Sequence, residues 1–422
     1  MPDIAHLIPK GTRAVLSNGL TVVTVPSRRA PLVATALAYR AGTRDEADGF
    51  GGVAHYLEHM MFKGSSRYGA GEIDHRTQVL GGSNNAFTSH DLTLYYFTFA
   101  ADRWTLALDI EQDRMRGLLL DPTELETERR VILEEISMYQ SEPWDVLDER
   151  VHRTLFPGHA YGRPVLGTRE ELVAMPRSAL DSFHRRFYRP ENAVLAVVGD
   201  VEPEQVLDAV EARFAGMGTA CPPADPADRS GRAAGFAAEA TRVERRQGEL
   251  ARLLMGMPAP PGGDADHPVL RLLLAVLGSG RSSRLHRALV DEGRLCLWVS
   301  ADLQESLDAG MVSVAAELVP GVEPAQVEAE IRRCLAELRQ TPPSPEEAAR
   351  ALRMEVADWL FDHEKVDQMA FLAATSCCVF DLEHPVRYLE RMHDVGLDDL
   401  QRVAATYLDP ERCSVVGWSL PE

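Results

Sequence analysis

The hydrophobic positions of the N-terminal half form two kinds of pattern. Residues 193–198 are apolar throughout, which predicts a buried strand, whereas residues 102–119 carry the single apolar stripe of an amphipathic helix. A short apolar segment within residues 52–64, bracketed by glycines, predicts a buried helix. Further predicted strands cover residues 20–25, 32–39, 86–88 and 92–99, further predicted helices cover 72–80, 123–139, 179–187 and 203–217, and a turn is predicted at 81–85.

The second half of the chain repeats part of this pattern. Leu180 and Pro190 correspond to Leu400 and Pro410 at one common offset in the numbering (400 − 180 and 410 − 190), and an apolar strand follows in each half. A weak repeat over half the chain predicts two domains of one fold, each with mixed strands and helices. The predicted domains are residues 1–217 and 241–422, joined by a Pro-, Ala- and Asp-rich linker at 218–240.

Composition narrows the classes of partner and compartment. A formal net charge of -20 argues against binding to nucleic acid or an anionic membrane, and mildly favours basic or neutral partners. The six cysteines include no CxxC pair and are scattered apart from Cys377-Cys378, which suits a reducing compartment. No window is long and apolar enough to span a membrane, and the first residues show no secretory or transit signal. We therefore expect a soluble, cytoplasmic protein.

The short buried helix carries the most distinctive chemistry. His55 and His59 are four residues apart, so a helix places both imidazoles on one face, and Glu58 borders that face. Two imidazoles beside a carboxylate can bind a divalent metal and activate its water. On these residues alone, satisfied core or surface histidines are an equally good interpretation.

A hydrolytic zinc site needs a third protein ligand and one open position. Glu128 and Glu135 are seven residues apart on a predicted helix capped by Thr123, so they share one face, with Val131, Leu133, Ile132 and Ile136 supplying apolar packing. Two carboxylates on a largely buried stripe are unusual without a compensating cation or hydrogen bonds, whereas Glu134 is better read as solvated. Spacing alone leaves eight candidates open: Asp74, His75, His90, Asp91, Glu128, Glu134, Glu135 and Glu142.

The segment His55-Tyr56-Leu57-Glu58-His59 has the residue order of the inverzincin signature, and Glu135 follows it on a separate predicted helix. In this the chain resembles the pitrilysin-type (M16) zinc metallopeptidases, and most closely their half-length members, which include mitochondrial processing peptidase and bacterial relatives. The other segments that carry the resemblance are residues 51–54, 62–65, 81–88, 128–135 and 159–164.

The resemblance implies a fold and a site. The fold would be α+β, with two structurally related domains, each an antiparallel-rich sheet packed with helices, and only the first domain would bind metal. His55, His59 and Glu135 would bind one Zn²⁺, Glu58 would be the general base that activates the water, and Glu128 would support the site from outside the ligand set.

The resemblance also implies how a substrate peptide would be held. Asn85, Ala86 and Phe87 match the edge strand to which the family adds a peptide, although an ordinary hairpin strand is the simpler interpretation of these residues alone. Arg284 matches an arginine that, with a tyrosine about a dozen residues on, holds the substrate backbone. That tyrosine is missing, because residues 295–298 read Leu-Cys-Leu-Trp. Arg284 could instead cap a helix or form a salt bridge.

These features predict a zinc-dependent endopeptidase that hydrolyses peptides or unfolded polypeptides. In the family, half-length chains pair to enclose a chamber, so we expect a homodimer, or a heterodimer with a homologue that supplies the Arg/Tyr pair. Two alternatives are a non-catalytic scaffold or assembly subunit on the same fold, and a metal enzyme of another reaction class. The presence of two histidines and two glutamates that converge on one point argues against the scaffold.

Overall fold

The computed structural model describes residues 11–218, 236, 241–411 and 414–421. The chain forms two compact units, and each draws on separated segments of the sequence. Most of the predicted linker, residues 219–235 and 237–240, lies outside the described residues, so the boundary at 218–240 stays a prediction. Unit 1 comprises Met1–Ile136, Pro164–Arg229 and Leu360–Val386, and unit 2 comprises Ser137–Arg163, Ser230–Trp359 and Arg387–Glu422.

Runs of strands and runs of helices follow one another along the chain, as expected for an α+β fold. The strands are β1 (Thr12–Val15), β2 (Thr21–Pro26), β3 (Leu32–Tyr39), β4 (Ser83–Thr88), β5 (Thr93–Ala100), β6 (Ala193–Gly199), β7 (Thr241–Arg246), β8 (Arg252–Ala259), β9 (Cys296–Gln304), β10 (Gly310–Leu318) and β11 (Val415–Leu420). The α-helices are α1 (Val53–Met60), α2 (Glu72–Val79), α3 (Thr105–Gly117), α4 (Pro122–Ser141), α5 (Pro143–Leu155), α6 (Arg169–Ala174), α7 (Arg177–Phe187), α8 (Pro203–Phe214), α9 (His267–Gly278), α10 (Pro324–Gln340), α11 (Pro345–Asp362), α12 (Val366–Val379), α13 (His384–Asp394) and α14 (Leu397–Tyr407).

Unit 1 is organised around a sheet with the strand order β1-β2-β6-β3-β5-β4. Only β2 and β6 run parallel among its neighbouring strands, and the other pairs are antiparallel. Strand β3 is buried on both faces: Leu37 and Tyr39 join the core that includes α1 and α3, whereas Ala34, Ala36 and Ala38 face α12. The three small side chains let α12 lie close to the sheet, and burial of both faces explains why β3 is apolar along most of its length.

Unit 2 has the strand order β7-β11-β8-β10-β9. This order matches β2-β6-β3-β5-β4 strand for strand, including one parallel pair at the same place. The register also repeats, since Thr21 lies opposite Val194 in unit 1 and Thr241 opposite Val415 in unit 2, at offsets of 220 (241 − 21) and 221 (415 − 194). The predicted α+β fold of two related, antiparallel-rich domains is therefore confirmed.

Two local predictions are wrong. Residues 81–85 were expected as a turn, but β4 begins at Ser83, because its backbone pairs with β5 from Ser83 opposite Thr98 onwards. Thr123 was expected to cap α4, but the cap is Asp121: its Oδ1 accepts the amide protons of Thr123 at 2.8 Å and Glu124 at 3.3 Å. Pro122, which has no amide proton to cap, occupies the first helical position.

Candidate metal centre

Helix α1 starts at a glycine that no other residue replaces without strain. Gly52 has a φ of 86°, and a Cβ there would lie 2.3 Å from the carbonyl oxygen of Leu166. The buried carboxylate of Glu46 accepts the amide protons of Gly52 and Ala54, each at 3.0 Å, and so caps the helix from outside it. Sequence reasoning missed Glu46; a glutamate shortly ahead of a glycine pair is a weak signal for such a cap.

Three side chains converge beside α1. The Nε2 atoms of His55 and His59 lie 3.9 Å and 3.6 Å from Oε2 of Glu135, and the ligand atoms of all three lie within 4.8 Å of one another. A tetrahedral zinc ion with nitrogen and oxygen ligands at ~2.1 Å places those atoms ~3.4 Å apart. The spacing and the donor set of two imidazoles and one carboxylate therefore fit zinc. Within the described part of the chain, no other group of three His, Cys, Asp or Glu side chains meets this geometry.

The surroundings of His55 also suit a metal ligand. Burial, and secondly the neighbouring imidazole of His59, lowers the pKa of His55 to about 3, so the His55 imidazole is neutral at pH 7. Its Nδ1 is buried and makes no hydrogen bond to the described residues, and its Nε2 faces Glu135. The neutral imidazole is the form of histidine that binds a metal, and Nε2 of His55 lies on the side of Glu135, another candidate ligand.

Glu58 lies next to His59 on α1 but is not among the three converging ligands. Burial raises its pKa, and a hydrogen bond from Thr88 works in the opposite direction. His59 and Glu135 act on this pKa in opposite directions, since His59 lowers it and the Glu135 carboxylate raises it. A half-buried carboxylate with a raised pKa is suited to taking up a proton during a reaction.

Helix α4 brings two of its glutamates to α1. Glu128 is almost fully buried, Glu135 is half-buried, and Glu134 is exposed, as predicted for it. Ile132 belongs to the core, but Val131, which was expected to pack, is 47% exposed. The apolar stripe of α4 is therefore narrower than the sequence suggests.

Glu128 contacts two neighbours with its two oxygens. Its Oε2 lies 3.1 Å from Nδ1 of His59, and its Oε1 lies 2.6 Å from the ammonium of Lys63. The hydroxyl of Tyr56 on α1 donates to the carbonyl of Leu125, one turn before Glu128, and so ties the two helices together at this point. Glu128 thus lies behind His59 rather than among the three converging ligand atoms.

Other candidate ligands from the sequence are engaged elsewhere. Asp74 accepts a hydrogen bond from Asn84 at 2.8 Å, and His90 Nδ1 lies 2.6 Å from the hydroxyl of Thr43. Asp91 forms an ion pair with Arg44 at 3.4 Å. The group of converging ligand atoms includes none of the remaining candidates, His75, Glu134 and Glu142.

The predicted substrate residues of unit 1 lie on β4, the last strand of its sheet. Asn85 and Phe87 are exposed, Ala86 is half-buried, and Thr88 at the end of the strand is buried against Glu58. The outer edge of β4 pairs with no described strand, so its backbone groups could accept a further strand.

Arg284, the predicted substrate residue of unit 2, is held by a carboxylate. Its Nε and Nη2 donate to the two oxygens of Glu347 at 2.9 Å and 2.8 Å. The hydrogen bonds from Arg284 lower the pKa of Glu347, and the same contacts raise the pKa of Arg284. This two-pronged geometry is the salt bridge that the sequence left open as an alternative to substrate binding.

Comparison with known proteins finds matches to one family of peptidases. Residues 21–169 match the family described as Insulinase (Peptidase family M16), and residues 174–355 match the one described as Peptidase M16 inactive domain. An uncharacterized zinc protease of Streptomyces coelicolor is 33% identical over 79% of this chain and 72% of its own length. The chain belongs to the M16 peptidase family. The predicted resemblance is thereby confirmed.

The similarity of this M16 chain to two proteins of Helicobacter pylori covers nearly its whole length. Zinc protease PqqE of Helicobacter pylori is 27% identical over 97% of this chain and 93% of its own. The crystal structure of a protease from Helicobacter pylori superposes with a TM-score of 0.91 at 27% identity, covering 98% of this chain and 100% of the other. No helix in the described residues combines the length and apolar character needed to cross a membrane.

Proposed function

We propose that this M16 chain is a zinc-dependent endopeptidase that hydrolyses peptides or unfolded polypeptides. The observation that carries the proposal is the convergence of His55, His59 and Glu135, with Glu58 half-buried next to His59 on α1. Three protein ligands leave a fourth position open for water, which is the arrangement of a catalytic rather than a structural zinc site.

The protein residues would divide the work as follows. Bound zinc would lower the pKa of a water molecule and polarise the carbonyl of the scissile bond. Glu58 would take the proton of the attacking water and later return it to the leaving amine, because partial burial raises the pKa of its carboxylate. Thr88 would fix one oxygen of Glu58, and the edge of β4 near Ala86 would align the peptide backbone.

The test is metal content and cleavage of one purified protein. We expect about one zinc per chain and cleavage of an unfolded polypeptide. Glu58→Gln should keep the zinc and lose cleavage, because the amide cannot accept the proton. Glu134 is an exposed glutamate on α4, so Glu134→Gln is the matched control and should behave as the wild type. A wild type without zinc, or an active Glu58→Gln variant, would overturn the proposal. A wild type that binds zinc but cleaves no substrate, whether tested by itself or together with a homologue, would favour the scaffold.

We further propose that the active form is a pair of chains that encloses the substrate. Two features support pairing with a homologue: Arg284 is engaged by Glu347, and the segment at 295–298 offers no tyrosine to complete an Arg/Tyr pair. An enclosed chamber would admit short or unfolded peptides and exclude folded proteins. The charge of -20 adds an expected preference for basic or neutral peptides.

The pairing is tested by measuring mass and activity together. Light scattering of the purified chain should give twice the 46.6 kDa mass if it forms a homodimer. A chain that is inactive alone and becomes active with a co-purifying homologue would establish the heterodimer. A fully active monomer would contradict both forms of pairing.

A further inference from the structure

Lys63 is joined to the candidate metal centre through one buried carboxylate. Its ammonium nitrogen lies 2.6 Å from Oε1 of Glu128, and the other oxygen of Glu128 lies 3.1 Å from Nδ1 of His59. The side chain of Glu128 is 4% exposed and that of Lys63 is 31% exposed. A carboxylate so deeply buried is stabilised by a compensating cation or hydrogen bonds, and Lys63 supplies a cation within salt-bridge distance.

The contact to Glu128 determines which nitrogen of His59 is available. When Nδ1–H donates to Glu128, the lone pair of the neutral ring is on Nε2, which lies 3.6 Å from Oε2 of Glu135. A carboxylate behind a metal-binding histidine commonly fixes the ring in this way and strengthens metal binding. The orientation of Glu128 therefore controls the presentation of His59.

The backbone around Lys63 is held in place, so its side chain reaches Glu128 from a fixed position. Lys63 donates its amide proton to the carbonyl of Met60 at 3.0 Å, and the next residue, Gly64, accepts from the amide of Leu119 at 3.2 Å. The ring of Phe62, on the other side, packs against the buried Arg114, 5.1 Å from the guanidinium carbon. A residue whose chain neighbours are fixed on both sides is suited to positioning another side chain.

The residue type at position 63 is unusual for this chain. Of the 44 basic residues only three are lysines, Lys10, Lys63 and Lys365, so 41 are arginines (44 − 3). An ammonium is a compact point charge that can approach a single oxygen, whereas a guanidinium tends to engage both oxygens of a carboxylate. At Glu128 the second oxygen is needed for His59, which a lysine leaves free.

We propose that Lys63 is a positioning residue of the metal centre: its ammonium holds Glu128 so that the carboxylate accepts the Nδ1 proton of His59 and presents Nε2 to zinc. The inference rests on the proposed function, because it concerns the same metal. It predicts that the charge and shape of residue 63 determine how tightly the protein binds zinc, although Lys63 contacts neither the metal nor the substrate.

The test is the zinc dissociation constant, measured by competition with a chromogenic chelator at fixed pH. Lys63→Met should bind zinc about 10- to 100-fold more weakly, the usual effect of losing such support. Lys63→Arg should recover only part of this loss, because a guanidinium tends to engage both oxygens of Glu128 and so competes with His59 for one of them. Lys365→Met removes the exposed lysine that precedes α12 and is the matched control; its affinity should remain within about twofold of the wild type.

A double variant separates positioning from a merely structural salt bridge. If Lys63 acts through Glu128, Lys63→Met combined with Glu128→Gln should bind zinc no more weakly than Glu128→Gln alone. Denaturant unfolding of the metal-free variants shows whether each still folds, and affinities are compared only among folded proteins. The inference about Lys63 would be overturned if folded Lys63→Met bound zinc as tightly as the wild type, or if the losses of affinity in the two single variants simply added in the double variant. The proposed function would stand in either case. A wild type that binds no zinc would overturn the proposed function as well.

Discussion

The hydroxyl of Thr88, the last residue of β4, donates a hydrogen bond to Oε2 of Glu58 on α1. The bond joins the strand that would receive the substrate to the carboxylate that would act as base. Asn85 and Phe87 on the same strand are exposed, whereas Thr88 is buried. The strand edge and this carboxylate are therefore held in one fixed relationship.

This relationship predicts the effect of Thr88→Val, which keeps the side-chain shape and removes the hydroxyl. Losing a hydrogen bond to a carboxylate costs about 1.5 kcal/mol, so we expect kcat to fall roughly tenfold while KM and zinc content stay unchanged. Steady-state kinetics on an unfolded polypeptide give the measurement. Thr88→Ser keeps the hydroxyl and should restore most of the rate; equal losses in both variants would show that the bond does not position Glu58.

A second prediction concerns the start of α1. Gly52 and Gly49 have nearly the same φ, 86° and 83°, but a Cβ at Gly52 would lie 2.3 Å from the carbonyl oxygen of Leu166, whereas nothing lies within 4 Å of one at Gly49. Gly49→Ala should therefore lower the unfolding free energy by only about 1 kcal/mol, which is the cost of placing a side chain on a residue with a positive φ. Gly52→Ala should lose about 3 kcal/mol or more, because α1 must shift. Denaturant unfolding compares the two, and equal losses would contradict the steric account.

Local periodicity was enough to predict α1 and the shared face of its two histidines. His55 and His59 are one helical turn apart, so their proximity is a property of the helix itself. Glu135 lies on a different helix, far along the chain from His59, and spacing alone could not choose it among the acidic candidates. The family resemblance singled it out, and the folded chain then brings Oε2 of Glu135 to 3.9 Å from His55 and 3.6 Å from His59.

The hydrophobic pattern could not predict contacts between elements that are distant in the sequence. The sequence contains Lys63 and Thr88 within recognisable segments, but their roles depend on where α4 and β4 meet α1. Helix α12 is a stronger case: it lies near the end of the chain and packs on β3, which lies near the beginning, although its sequence reads as an ordinary apolar helix. Side-chain partners of this kind follow from tertiary structure, which periodicity does not encode.

A third prediction concerns Arg284 and Glu347. Their side chains are only 20% and 24% exposed and form two hydrogen bonds, so the pair should contribute to folding. In a double-mutant cycle of Arg284→Met and Glu347→Gln, we expect a coupling of about 1–2 kcal/mol in unfolding free energy, with KM changed less than twofold by Arg284→Met. A tenfold rise in KM with unchanged stability would instead establish Arg284 as a substrate ligand.

A fourth prediction is a pH dependence of stability that comes from His152 on α5. Burial alone would lower its pKa, but a hydrogen bond and the charge of Asp148, with a further hydrogen bond to Gln304, outweigh burial and raise the pKa from 6.5 to about 9. Because the folded value is the higher one, the contribution is fully present below pH 6.5 and is lost as the pH rises through about 9. Since Asp148 is partly exposed, we expect about 1–3 kcal/mol.

His152→Gln provides the measurement for this prediction, because groups that titrate in both proteins cancel in the difference. The unfolding free energy of the wild type minus that of the variant, taken by denaturant titration of metal-free protein, should be largest at about pH 6 and should fall steadily towards about pH 9.5. A difference that does not change with pH would mean that His152 is neutral in the folded protein. Its contacts with Asp148 and Gln304 would then act as ordinary hydrogen bonds without a charge.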